Sequence, residues 1–216
     1  QSSSAYLKTS SEVVLRRQSD LLEQKLIDRI KAFEQSLMAT VGFFESSGDV
    51  QHAEWESFMS SLRVQERFPG FRAIAFSPLV RKEDRKEFEA KVRHAGIESF
   101  SILTDAENDD YFPVLYQTSP LDLSDMIGKD IGREPIRRQT IEAARDGGEM
   151  VLSAPLELLS DRDPQTAMIL MMPLYEKGRP SFNQTQRRKA FRGVVYAPFV
   201  LKEVTGLVFG NEIDVG

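Results

Sequence analysis

Asp130 is the residue whose type and setting most invite chemistry in this 216-residue chain. It lies in GKDIGREPIRRQTIEAARDGGEMVLSAP, between Gly128 and a helix expected to open near Pro135. An acid there has three readings. It can cap the helix, pair with Arg137 or Arg138, or point into a cavity. In a cavity an ionised carboxylate only accepts hydrogen bonds, so it would select a ligand that presents N–H donors.

Other reactive groups are few. The two histidines, His52 and His94, stand far apart, with no HxxxH or HExxH spacing, and read as solvated surface residues. Cysteine is absent, which excludes disulfides, thiolate metal sites and a cysteine nucleophile. The chain carries no GxSxG elbow, Walker loop or GxGxxG turn. The run DAENDD (105–110) lacks the spacing and terminal Glu of a calcium loop and reads as a solvated turn. Catalysis, a bound metal and a cofactor are therefore not expected within this chain. The arginine pairs at Arg137 and Arg187 could meet phosphate. With 33 acidic against 28 basic residues, they read instead as helix-face and loop charges facing nearby Glu and Asp. Nucleic acid is not an expected partner.

The elements that must position these residues follow from periodicity. Leu7, Val14 and Leu21, then Leu15, Leu22, Leu26, Ile30, Phe33, Leu37, Val41 and Phe44, form a narrow apolar stripe. Neither Pro nor Gly interrupts it before Gly42, so residues 1–45 read as one long helix. Its stripe packs either on its own domain or in a dimer stalk. Trp55, Phe58, Met59 and Leu62 mark a short helix with Asp49 as its expected N-cap. FPGF (68–71) reads as a turn and RAIAFSPLV as a strand. RKEDRKEFEAKVRHAG reads as a charged helix and ESFSILT as a strand, with YFPVLYQTSP extended. Pro135 suits a first helical turn, Ile136, Thr140, Ala143 and Ala144 share a face, and Gly147–Gly148 stops the helix. EMVLSAPLELLS, TAMILMMPLY and FRGVVYAPF read as strands, with EKGRPSFNQTQRRKA a long polar loop between the last two. The expected class is α+β with an antiparallel sheet.

The ordered series FFESSGDVQHAEWESFM, FPGFRAIAFSPLV, RKEDRKEFE, YFPVLYQTSP, the Arg-Arg helix with its Asp-Gly-Gly stop, MILMMPLY and FRGVVYAPFVLKEV resembles the CHASE family over roughly residues 40–209. These are extracytoplasmic sensor domains of histidine kinases and cyclases. The resemblance implies a long stalk helix carrying two PAS-like units, of which the membrane-distal one binds ligand. Plant members are cytokinin receptors. There an Asp hydrogen-bonds an adenine-like ring, and the strand after the helix supplies a Leu backbone contact and a Thr. Those positions match Asp130, Leu152 and Ser153, with Ser keeping the hydroxyl and losing a methyl. Tyr111, Phe112 and Tyr116 are further candidates for the pocket wall, although aromatics at such positions also fill cores.

The resemblance implies three parts: a stalk and dimerisation helix (1–45), a distal PAS-like ligand-sensing domain (46–205), and the start of a truncated membrane-proximal unit (206–216). It implies a periplasmic sensor domain of a membrane receptor, with a histidine kinase or diguanylate cyclase as output. The expected partners are a small molecule with N–H donors, adenine-like by the resemblance, and a second copy of the stalk. The membrane would be met only through flanking helices outside this sequence. The alternatives are a ligand-independent dimerisation module and a chemoreceptor-type sensor.

Overall fold

The computed structural model describes residues 2–64, 72–121, 123–158, 165–200 and 202–203. Its first element is helix α1 (Ser2–Ser47). Phe33, Leu37 and Phe44 of α1 are buried, with Ile30 and Val41 half-buried beside them. Spacings of three, four and seven put these residues on one side of the helix. Further toward its start, Val13, Leu21, Leu26 and Ile27 are exposed. The side chains of Leu7, Val14, Leu15 and Leu22 lie outside the described residues, as do FPGF and the segment 204–216. Among the described residues no helix is long and apolar enough to cross a membrane.

Helix α2 (His52–Leu62) buries Trp55 and Met59. Its cap differs from expectation. Gln51 opens the helix and donates its N–H to the Glu54 carboxylate at 2.7 Å. Asp49 instead reaches Lys91 at 3.0 Å on helix α3 (Arg85–His94), because the turn between α1 and α2 faces that helix.

The sheet is antiparallel throughout. Strand β4 (Tyr116–Thr118) pairs with β1 (Ile74–Pro78), which pairs with β8 (Phe191–Val200), which pairs with β7 (Thr166–Tyr175). The short strands β5 (Val151–Leu152) and β6 (Leu156–Glu157) both pair with the outer side of β7. A separate pair joins β2 (Val80–Arg81) to β3 (Asp110–Tyr111). TAMILMMPLY is thus an inner strand, as its continuous apolar run indicates. ESFSILT does not form a strand. Phe100 and Ile102 are buried in alternation, but the backbone makes only an isolated bridge, Leu103 to Lys129.

Alternation along each strand divides the core into two layers. On one face Ile74, Phe76, Leu170, Val195, Ala197 and Phe199 pack against α1 and α2. Phe33 stacks on Phe199, and Phe44 lies 4.3 Å from Phe76 between ring centres. On the other face Ala75, Ile169, Met171, Val194 and Tyr196 meet Phe112, Met126, Ile131, Ile141 and Ala144. Helix α4 (Pro135–Gly147) forms the cover of that second face. The segment expected to be a long polar loop before β8 contains helix α5 (Gln184–Ala190), capped by the Asn183 side chain, which accepts the Gln186 N–H at 2.9 Å. The α+β class with a long helix and an antiparallel sheet matches the expectation.

Candidate functional site

Local rules set α4. Pro135 occupies the first turn, where a missing N–H costs nothing. The Glu134 carboxylate accepts the Ile136 and Arg137 N–H groups, both at 2.9 Å. Gly148 ends the helix with φ of 76° and returns its N–H to Ala144. The buried face is not the one composed of Ile136, Thr140, Ala143 and Ala144. It is Arg137, Thr140, Ile141 and Ala144, while Ala143 faces solvent. Arg137 therefore turns inward and is only 2% exposed.

The guanidinium of Arg137 is incompletely matched. Its Nη2 donates to the Glu157 carbonyl at 2.9 Å. Its Nη1 lies 3.7 Å from Glu134 Oε2, beyond hydrogen-bond reach, and has no other partner. Burial pulls this guanidinium below its ordinary value, while Glu134 and Tyr196 act in the opposite direction. Arginine stays charged nonetheless. Burial likewise raises the Tyr196 phenol to about 12, against the pull of the neighbouring Ser77 hydroxyl and Arg137. Ser77 Oγ, pointing to the same side as Tyr196, is buried without a hydrogen bond of acceptable geometry.

Arg137 and Tyr196 line a cavity of about 40 Å³ between α4 and the sheet. Ile131, Met126, Ile169 and Ala73 supply apolar wall, and Arg72 and Gln117 add polar atoms. Arg72 is itself engaged with Glu203 at 2.6 Å.

The residues expected to bind ligand occupy different places. Asp130 is 0% exposed. Its Oδ1 accepts the Phe112 and Gly132 N–H groups at 2.9 and 3.0 Å, and its Oδ2 accepts the Thr104 hydroxyl at 3.1 Å. Of the three readings of this acid, capping comes nearest, although it caps a short 3-10 turn (Ile131–Arg133) rather than α4. Neither arginine is its partner. Arg138 instead clamps Asp110 at 2.6 Å and lies over the Phe112 ring. A Cβ on Gly132 would come within 2.6 Å of that ring, so this turn requires glycine. Leu152 is 40% exposed on an edge strand. Ser153 is buried, donating to the Ala154 carbonyl and accepting the Ile169 N–H at 2.9 Å. Phe112 is core, and Tyr111 is buried with Arg85 over its ring. The small cavity is thus walled by the neighbours of the expected residues: Ile131 follows Asp130, and Ile169 is held by Ser153.

Tyr116 lines a different cavity, of about 350 Å³, on the stalk side. Phe44, Phe76, Phe88 and Val92 also wall it. Two of its polar groups are bonded within its own wall. Tyr116 Oη donates to the Val50 carbonyl at 2.8 Å, and Asp49 pairs with Lys91, whose ammonium holds the Asp49 carboxyl below its ordinary value.

Arg137 is the buried cation that sequence reading placed on the surface. Its spacing of three, four and seven to Thr140, Ile141 and Ala144 was the available signal. The arginines after Asn183 do follow the surface reading. Arg188 grips the Asp146 carboxylate with two bonds, at 2.6 and 2.9 Å, and Arg187 donates to the Asp146 carbonyl. This ties α5 to the end of α4.

The family model of the CHASE domain matches residues 48–215. No curated protein matches the chain. Among solved structures, an extracellular ligand binding receptor from Desulfohalobium retbaense aligns with 90% of this chain and 27% of its own length, at 13% identity and a TM-score of 0.51. The ligand-binding domain of a Pseudomonas aeruginosa amino-acid chemoreceptor in complex with GABA aligns with 95% of this chain and 68% of its own, at 7% identity and a TM-score of 0.48. The periplasmic sensory domain of a Campylobacter jejuni chemoreceptor aligns with 94% and 62%, at 13% identity and a TM-score of 0.47. At such identities the first likeness is one of fold. This chain spans about a quarter of that receptor's length.

Proposed function

The chain belongs to the CHASE domain family of extracytoplasmic, non-catalytic sensor domains, and from that premise we propose that its ligand enters the cavity under α4 and acts on the stalk through the sheet. The observation that carries this reading is the sharing of two strands between cavity and stalk. Ile169, Tyr196 and Pro198 face the cavity, while Leu170, Ala197 and Phe199 beside them belong to the stalk-facing layer. Because side chains alternate across a sheet, a ligand that shifts one set shifts the other. Only a ligand that favours one arrangement over another transmits anything.

In this reading Asp130 and Ser153 hold the cavity wall in place, and their polar atoms serve the protein rather than the ligand. Leu152, Tyr111, Phe112 and Tyr116 do not line this cavity. The exposed Leu21, Leu26 and Ile27 of α1 would meet a second copy of the stalk in a membrane receptor. The output would be a histidine kinase or diguanylate cyclase. A chemoreceptor output fits the same domain.

The test uses the absence of cysteine from these 216 residues, with any cysteine elsewhere in the receptor replaced. Leu21→Cys and Leu26→Cys chains are cross-linked in the full receptor with and without compounds that raise the domain's melting temperature. Ala73→Val, which narrows the cavity, should abolish both the thermal shift and the change in cross-linking. A thermal shift that survives Ala73→Val overturns the cavity assignment. Cross-linking that never responds to a bound ligand favours a ligand-independent dimerisation module.

A further inference from the structure

The cavity under α4 contains a buried cation with an unmet donor, and this specifies what its occupant must offer. We propose that the ligand carries a carboxylate, which the Arg137 guanidinium receives in this cavity. The inference rests on the reading of the cavity as the sensing site and adds the class of its ligand.

Four observations converge. First, Arg137 is 2% exposed, and its Nη1 has no hydrogen-bond acceptor. A buried unmet donor on a charged group is costly, and an anionic acceptor removes that cost. Second, the nearest carboxylate cannot serve. Both oxygens of Glu134 already accept N–H groups from the first turn of α4, and its closest approach to Nη1 is 3.7 Å. Third, the hydroxyl that shares the cavity wall with Arg137, that of Tyr196, can donate. Burial holds the Tyr196 phenol in its protonated form, with the Ser77 hydroxyl beside it. A ligand end made of N–H donors would meet a guanidinium, which accepts nothing. Fourth, about 40 Å³ between Ile131, Met126 and Ile169 admits about three water-sized atoms, the size of a carboxylate group.

Charge balance separates a carboxylate from a phosphate. One guanidinium, already partly offset by Glu134, can neutralise a single negative charge. A phosphate monoester would bring nearly two into an apolar site. This replaces the expectation of a donor-bearing, adenine-like ligand, because the acid that would have received it is fully engaged with Phe112, Gly132 and Thr104.

The experiment titrates the purified chain by calorimetry and thermal melting with acetate, propionate and lactate, with the three corresponding amides, and with adenine. At least one acid should bind, with its neutral amide weaker by on the order of tenfold or more. Arg137→Gln should remove the preference for acid over amide, and Ala73→Val should weaken every ligand of the cavity. Should Arg137→Gln fail to fold, the acid–amide comparison on the unaltered chain still decides. Equal binding of acid and amide overturns the proposal, as does an absence of binding by all three acids. If adenine alone binds and Ala73→Val prevents it, the cavity stands as the sensing site and the carboxylate falls. If acids bind with full preference to the Ala73→Val chain, the cavity itself is overturned.

Discussion

The two cavities on opposite faces of the sheet differ in kind. The one against α1 and α2 is large and aromatic, with Tyr116 bonded to Val50 and Asp49 to Lys91 in its own wall. The one under α4 is small and holds Arg137, with the orphaned Ser77 hydroxyl on the same face of the sheet. Size alone would favour the first as a ligand site. Specific recognition, however, needs polar groups left free to make bonds, and those lie under α4. The larger cavity lies where α1, α2 and α3 meet the sheet.

Substitutions on both sides can break or sharpen that contrast. Phe44→Ala has the largest expected effect, because this ring packs on Phe76 and Trp55 in the stalk layer. Urea unfolding should show a loss of about 3–5 kcal/mol, with ligand affinity of the folded protein unchanged. A collapse of affinity would move the site to the stalk side. Asp130→Ala leaves two buried backbone N–H groups without their acceptor and should cost about 2–4 kcal/mol by the same measurement. Here too the folded fraction should retain its affinity. Selective loss of binding at full stability would restore Asp130 as a ligand acceptor. Tyr116→Phe removes the bond to Val50 and should cost about 1 kcal/mol without altering binding.

The smallest effect concerns Asp146, which holds α5 to the end of α4. Arg188 and Arg145 keep its carboxyl well below the ordinary carboxylate range. Since the folded value lies below the unfolded one, the stabilisation is complete above about pH 4 and disappears as pH falls toward the folded value. Asp146→Asn should cost a few tenths of a kcal/mol at neutral pH, as expected for a screened ion pair. It should also flatten the acid limb of the melting-temperature profile. An unchanged acid limb would show that this clamp does not hold α4.

What the sequence revealed depended on how local the cause was. The ends of α4 were legible because Pro135, Glu134 and Gly148 act within their own turn. The inner strand TAMILMMPLY was legible from its unbroken apolar run. Helix α5 was hidden in a polar stretch, although Asn183 with Gln186 three residues on is a cap signature. Alternation in ESFSILT correctly reported which side chains turn inward and could not report that no strand lies alongside. The site was less legible than the fold. The resemblance led to Asp130 and Ser153, which hold the cavity wall, and away from Arg137. A guanidinium on a helix usually reaches solvent, and only the cover of α4 over the sheet denies it that route.

The division of α1 has a mechanical consequence. From Ile30 to Phe44 the helix is fastened to the sheet, while Val13, Leu21, Leu26 and Ile27 stand clear. At 1.5 Å per residue, the clear stretch from Val13 to Ile30 is a lever arm of about 25 Å. A tilt of about 5° at the fastened end would displace the far end of that arm by about 2 Å, given the same rise per residue. The sheet therefore does not have to move far. Were a side chain settling against Tyr196 to tilt the helix by that much, the far end would move by the roughly 1–2 Å typical of helix shifts at subunit interfaces.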